Sequence, residues 1–409
     1  FGQISISDDG ARVAFAHDGD LAGTNADGSQ EVFAVLSDGS DLRQLTDAPA
    51  DRYAARPALS GNGLTIAFEA DADLTGGNSE NYAEIFAVEW DGTNLRQLTE
   101  TRTVLGVTGD PASQFPSITD DGQKIVFFSN YSTLFTNFDG NFEIFEIGSD
   151  GSGLDNLTST ALEAGSFLPI VSGDGSRIAY LGVGADIRLR VMNGDGGEDR
   201  GLITYDLIFN EQPDIADDGT RAVFRQTTDL ISGAGQLWLV DHGQAPVRLT
   251  DLGSGSANTP ALTGDGSWAL FSSTANPTGD NFDGSEEIFR IRGTGANLEQ
   301  LTAGAEGTAS LRPVAATDGS RIVFDSDADP TGGNPDGSRE IFAAALDGSG
   351  LVQLTSGPDG TTSRLPRVDG SGSWVAFESN ADLTGLNGDG SYEIFRVRTD
   401  GGTVRCESL

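Results

Sequence analysis

Residues 313–355 read PVAATDGSRIVFDSDADPTGGNPDGSREIFAAALDGSGLVQLT, and this stretch decides the fold. Val314 and Ala315 begin a short strand after Pro313. Asp318-Gly319 supplies a turn, because that pair tolerates the left-handed backbone a tight hairpin requires. Arg321–Phe324 predicts a second strand, with Ile322 and Phe324 on one face. The loop 325–339 follows. Glu340–Leu346 predicts a third strand, Asp347-Gly348 a second turn and Leu351–Thr355 a fourth strand. Four antiparallel strands in about 43 residues are the content of one propeller blade.

The unit recurs eight times, opening at Ile4, Pro57, Pro116, Pro169, Pro213, Pro260, Pro313 and Pro366, and four of the seven spacings are 53 residues. No Pro/Ser-rich linker or change of composition interrupts it. The expectation is an all-β chain: one eight-bladed antiparallel β-propeller domain over residues 1–409. Seven blades are the alternative, should the short unit 169–204 collapse or the terminal units combine. Blade 4 is the shortest, since Ile178–Tyr180 runs almost directly into Ile187–Val191. Blade 5 is trimmed at Gln226–Gln236, and the segment 100–115 lengthens the crossing into blade 3.

Composition narrows the partners. There are 62 acidic residues against 24 basic, a formal charge of -38, and Lys124 is the only lysine. Such a surface repels nucleic acid and anionic lipid heads, and favours cations, basic partners or a salty milieu. Cys406 is the only cysteine, so no intrachain disulfide forms. No apolar stretch approaches the roughly 18 residues a spanning helix needs. No leader is visible and the chain starts inside its first repeat, as a processed chain would.

Six units carry the same acidic loop between second and third strands. Each has Asn six residues before the Glu that opens the third strand, and an acidic residue four before it. The sets are Asn25/Asp27/Glu31, Asn78/Glu80/Glu84, Asn137/Asp139/Glu143, Asn281/Asp283/Glu287, Asn334/Asp336/Glu340 and Asn387/Asp389/Glu393. Asp20, Asp73, Asp329 and Asp382 stand eleven before the Glu in four units; Ser132 and Asn276 stand there in the others. Hard cations take six to eight oxygens from carboxylates, amides and carbonyls on a Gly-bearing loop. Calcium is the expected ion, held most securely where all three positions are acidic. Asx-turn bonding without an ion is the competing explanation.

Catalytic signatures are sparse. His17 and His242 are the only histidines and occupy unrelated loop positions. No Gly-x-Ser-x-Gly elbow precedes a helix, and no phosphate loop or dinucleotide fingerprint occurs. Carboxylate pairs suit glycoside hydrolysis, but with 62 acidic residues a pair by itself carries little information. Phe68, Phe127, Phe324 and Phe377 read as blade core. Phe138 and Phe282 lie inside acidic loops, and Tyr82 and Tyr392 near loop ends, where an aromatic rim could meet a partner.

The repeat resembles the TolB-type, WD40-like (PD40) propeller family. The match runs through Pro57, Asn62-Gly63, Ile66-Ala67-Phe68, Glu84-Ile85-Phe86, Asp91-Gly92, Leu98-Thr99 and their seven counterparts, across essentially the whole chain. That family includes periplasmic binding proteins, propellers attached to serine peptidases, and polysaccharide-degrading enzymes that use several metal-binding histidines. No segment here matches the small α/β domain of TolB. The resemblance implies a bacterial periplasmic or secreted setting; an acidic halophile cytoplasm is the rival. The expected function is a non-catalytic binding or scaffold propeller, calcium-stabilised, with a protein or glycan partner. The alternatives are a polysaccharide hydrolase or lyase with a carboxylate site at the channel mouth, and a structural subunit of an envelope complex.

Overall fold

The computed structural model describes residues 4–101, 111–130, 137, 139–160, 164–184, 187–205, 213–229, 234–241, 243–253, 255–385 and 387–406. Ser132, Phe138 and His242 lie outside them. The described residues form eight four-stranded antiparallel sheets and no helix. The fold is the eight-bladed antiparallel β-propeller expected from the repeat. The chain divides into two compact units, Phe1–Thr204 and Tyr205–Leu409, with four blades each.

Blade 7 shows how the sequence makes a blade. Its strands are Ser310–Ala315, Arg321–Ser326, Glu340–Ala345 and Val352–Gln353. Gly319 and Gly348 take positive φ at the two turns, as the Asp-Gly pairs predict. Phe324 lies opposite Phe342 in the register, and their rings stack 5.7 Å apart. The same pair recurs as Phe68–Phe86 and Phe377–Phe395. Within each unit, apolar faces of successive blades close on one another. Val323, Ile341 and Leu354 of blade 7 meet Val375, Phe377 and Phe395 of blade 8 in one buried cluster.

The opening proline is the main departure from expectation. It does not start the first strand but sits inside it, at a bulge. In blade 7 the register shifts between Leu311 and Val314, on either side of Arg312-Pro313. Proline donates no hydrogen bond, so a strand tolerates it where the ladder is already interrupted. The residue before it turns into the left-handed region: Arg56, Phe115, Leu168, Thr259, Arg312 and Leu365 all have positive φ. A bulge re-aims side chains, and here it does so at the same point in six blades.

Candidate functional site

The Glu that opens each third strand is buried: Glu31, Glu84, Glu143, Glu287, Glu340 and Glu393 keep at most 4% of their surface. Its first task is to latch the end of the blade. In blade 7, Thr355 donates to Glu340 Oε2, and the Gly357 amide donates to Oε1 at 2.6 Å. The Thr355 hydroxyl also accepts the Ile341 amide at 2.9 Å. Thr46, Thr99, Thr158 and Thr302 hold Glu31, Glu84, Glu143 and Glu287 in the same way. This explains the Leu-Thr that follows the outer strand in these five blades. Burial pushes the Glu31 and Glu84 carboxyls above the usual range, against the hydrogen bonds that favour the charged form.

The loop oxygens meet at a serine that the sequence reading missed. Ser338 Oγ lies 2.9 Å from Asn334 Oδ1, 3.0 Å from Asp336 Oδ1, 2.8 Å from Glu340 Oε1 and 3.2 Å from the Gly357 carbonyl. Ser29, Ser285 and Ser391 gather Asn25/Asp27/Glu31, Asn281/Asp283/Glu287 and Asn387/Asp389/Glu393 likewise. The signal was present as Asp-Gly-Ser, two residues before the Glu, and reads at first as turn chemistry alone.

Other predicted ligands are not brought in. Asp20, Asp73, Asp329 and Asp382 accept the backbone amides of Asn25, Asn78, Asn334 and Asn387 at 2.7–2.9 Å. Asn276 does the same for Asn281, so this side-chain oxygen ties the loop back on itself and needs no charge. In blades 2 and 3, Tyr82 and Asn141 replace the serine. In blade 2, Glu80 pairs with Ser79 instead of joining Asn78 and Glu84. In blade 3, Asn137 donates to the Asn141 carbonyl. Asp139 is half-buried there, with no serine hydroxyl to tie it to Asn137 and Glu143. In this blade Glu143 serves as the latch to Thr158, and Asn141 stands where the other loops have their serine. The expected convergence of three carboxylates is likewise absent: no group of three or more His, Cys, Asp and Glu side chains gathers among the described residues.

A second polar assembly, not singled out from the sequence, lies at the bulges of the second unit. Two equivalent positions supply it in each of blades 6, 7 and 8, one on the second strand and one just before the third, joined by a first-strand residue that stands two before the proline in blades 6 and 8 and one before it in blade 7. In blade 6, Asn258 and Ser272 both donate to Glu286 Oε1, at 3.0 and 2.7 Å. In blade 7, Arg312 grips Asp325 through two bonds of 2.7 Å, and Arg339 reaches both Asp325 at 2.9 Å and Asp327 at 2.7 Å. In blade 8, Arg364 donates to Glu378 at 3.2 Å and lies over the Tyr392 ring, 4.2 Å from its centroid. Asp325 is fully buried, and burial pushes its carboxyl up despite the two guanidiniums beside it. Glu286, Arg364, Glu378 and Tyr392 keep exposed surface.

Equivalent positions of the first unit are mainly aromatic. Arg56 pairs with buried Glu69 and stacks on Phe115 at 4.1 Å. Phe128, Phe142 and Phe167 then pack together with centroids 5.2–5.6 Å apart. Among the loop aromatics, Phe282 stands 87% exposed. His17 accepts the Gly19 amide at 2.8 Å, as a loop-ordering residue.

No family model and no curated protein matches the chain. Solved structures resemble it in fold. A puromycin hydrolase mutant complexed with PGG superposes with TM-score 0.55 at 13% identity, covering 100% of this chain and 53% of its own. Oligogalacturonate lyase from Vibrio parahaemolyticus gives 0.51 at 14%, covering 97% and 89%. The propeller domain of the Trilobed protease from Pyrococcus furiosus gives 0.50 at 13%, covering 87% and 98%. TolB from Acinetobacter baumannii is also a neighbour, at 0.39 and 16%, covering 79% and 78%.

The class these similarities define is the β-propeller. The chain spans about half the length of the puromycin hydrolase it resembles. The expectation of a non-catalytic binding or scaffold protein is corrected by this set. Most of the neighbours named are enzymes, including a prolyl endopeptidase, puromycin-hydrolysing peptidases and oligogalacturonate lyases, and at 12–15% identity the likeness itself is one of fold.

Proposed function

We propose that this chain is a glycan-cleaving propeller, a hydrolase or lyase acting on short oligosaccharides that contain uronic acids. One observation carries the reading: three successive blades set carboxylates, arginines and a tyrosine around their bulges. Arg364 and Tyr392 supply what a sugar acid needs, a guanidinium for its carboxylate and a ring for its apolar face. Among the described residues Glu286 accepts both of its side-chain bonds on Oε1, so Oε2 is left for proton transfer. Asp325, locked between Arg312 and Arg339, positions those arginines and takes no direct part. A net charge of -38 opposes long polyanions, which is why short substrates fit better.

The test is a panel of uronate-containing and neutral oligosaccharides, followed by reducing-end release and by the ultraviolet absorbance of unsaturated products. Reducing ends alone mark a hydrolase, and both signals mark a lyase. Turnover by wild type that is lost in Glu286→Gln supports the reading. No turnover on any uronate substrate rejects it.

Calcium at the serine-centred loops is a second proposal, favoured by a proton count. The Ser338 hydroxyl has one proton and four acceptor oxygens around it, two of them from carboxylates. A hard cation removes that excess of acceptors. We also propose a TolB-type WD40-like ancestry and a bacterial extracytoplasmic setting, for which a signal peptide in the upstream coding sequence is the direct check.

A further inference from the structure

Blades 7 and 8 both set an arginine against a second-strand carboxylate beside the bulge, but they pair the two differently. In blade 7, Leu311 stands opposite Asp325 in the register, and the arginine lies one residue further on, inside the bulge. Arg312 takes a φ of 52° there and grips Asp325 through Nε and Nη2. Arg339 bonds both Asp325 and Asp327. Asp325 keeps no exposed side chain. Each guanidinium of blade 7 is thus committed to carboxylates of its own blade through two nitrogens.

In blade 8 the arginine itself stands opposite the carboxylate. Arg364 and Glu378 are partners across the ladder, and the bulge residue is the uncharged Leu365. Arg364 reaches Glu378 through Nε alone, at 3.2 Å. Where blade 7 has Arg339, blade 8 has Tyr392, with the Arg364 guanidinium 4.2 Å from its ring centroid. Among the described residues Nη1 and Nη2 of Arg364 donate to nothing, and its side chain is 39% exposed. The backbone beneath is fixed. The Ser363 amide donates to the Arg339 carbonyl of blade 7 at 2.7 Å, and the Ser363 and Ser379 hydroxyls meet at 3.0 Å. A guanidinium clamped at Nε and stacked on a ring has given up rotamer freedom before a ligand arrives. Its open edge carries donors that match the two oxygens of a carboxylate.

We propose that Arg364 selects the acid group of the substrate, taking one carboxylate across Nη1 and Nη2, with Glu378 and Tyr392 as its positioning residues. Glu378 also limits the charge that is accepted. A single carboxylate is balanced by the guanidinium, whereas a phosphate monoester, close to two charges at neutral pH, is repelled by Glu378. Sugar acids therefore bind and sugar phosphates are refused. The ligand class rests on the glycan-cleaving reading; the clamp rests on the register, the bond to Glu378 and the ring contact.

Titration calorimetry of the full chain at neutral pH with galacturonate, galactose and galactose-6-phosphate tests it, with circular dichroism confirming that each variant is folded. Only galacturonate should bind the wild type. Arg364→Gln should weaken it at least about tenfold, and so should Arg364→Lys, which restores the charge without the planar edge. Tyr392→Ala should weaken it several-fold, and Tyr392→Phe should restore it. Glu378→Gln keeps an acceptor for Nε and removes the charge, so galactose-6-phosphate should then bind within about threefold of galacturonate. Absence of galacturonate binding, binding indifferent to Arg364→Gln, or phosphate still refused by Glu378→Gln would each overturn the assignment. Glycan turnover without galacturonate binding rejects this site alone. Binding without turnover leaves the site standing and rejects the catalytic reading.

Discussion

Thr250 donates its hydroxyl to Gln236 at 2.9 Å, in the place where Thr355 of blade 7 donates to Glu340. The Leu252 amide bonds the same Gln236 oxygen at 2.9 Å, as the Gly357 amide bonds Glu340. A neutral amide therefore closes blade 5 as well as a carboxylate closes its neighbours. The latch requires an acceptor and not a charge.

Glu340→Gln should accordingly keep the blade closed and change stability little in the absence of metal. Glu340→Ala leaves the Gly357 amide and the Thr355 hydroxyl unpartnered in a buried place, and should cost about 2–4 kcal/mol. Urea unfolding of both variants in EDTA checks this. Equal losses in the two would contradict a role as acceptor.

The charge of Glu340 then belongs to its loop. Glu occurs in the six blades that carry the Asn-x-acidic loop, whereas blade 5 has Gln and no such loop. Added calcium is expected to raise the melting temperature of the wild type, by about 3 kcal/mol of stabilisation at a hundredfold excess over the dissociation constant. Asp336→Asn and Glu340→Gln should each lose part of that gain. Scanning calorimetry with calcium and with EDTA decides it, and superimposable melts would remove calcium from the account.

Asp214 should give stability a slope with pH. The fold holds its proton more tightly than the unfolded chain does, raising the carboxyl from the ordinary 3.8 to about 6. Its contribution is complete below about pH 4 and is lost as pH rises through about 6. Asp214→Asn should flatten that slope and gain on the order of 2 kcal/mol at neutral pH. The comparison is the difference between variant and wild type in urea midpoints, since other groups titrate in both. A variant as pH-dependent as the wild type would refute it.

Thr259 combines two local costs. It is β-branched at a φ of 48°, and its buried hydroxyl finds no hydrogen-bond partner among the described residues. Thr259→Gly removes both, against a smaller entropic loss on folding, and should stabilise by about 1 kcal/mol. A lower melting temperature would show that the hydroxyl has a partner the fold depends on.

The sequence by itself determined the blade. Alternation in Arg321–Phe324 and Glu340–Ala344, bounded by Asp318-Gly319 and Asp347-Gly348, leaves one antiparallel solution, and eight copies give the propeller. It also marked the acidic loops, because side chains spaced along one short segment must meet locally. Their serine was passed over because Asp-Gly-Ser is turn chemistry in its own right. Where Asn141 replaces that serine, Asn137, Asp139 and Glu143 lack the hydroxyl that the other loops share. The assembly around Arg312 and Asp325 and the Arg364–Glu378–Tyr392 group were decided only by tertiary structure. Their members come from different strands or blades. The bulge at each proline also shifts the pairing, so counting alternate residues from the sequence assigns side chains there to the wrong face.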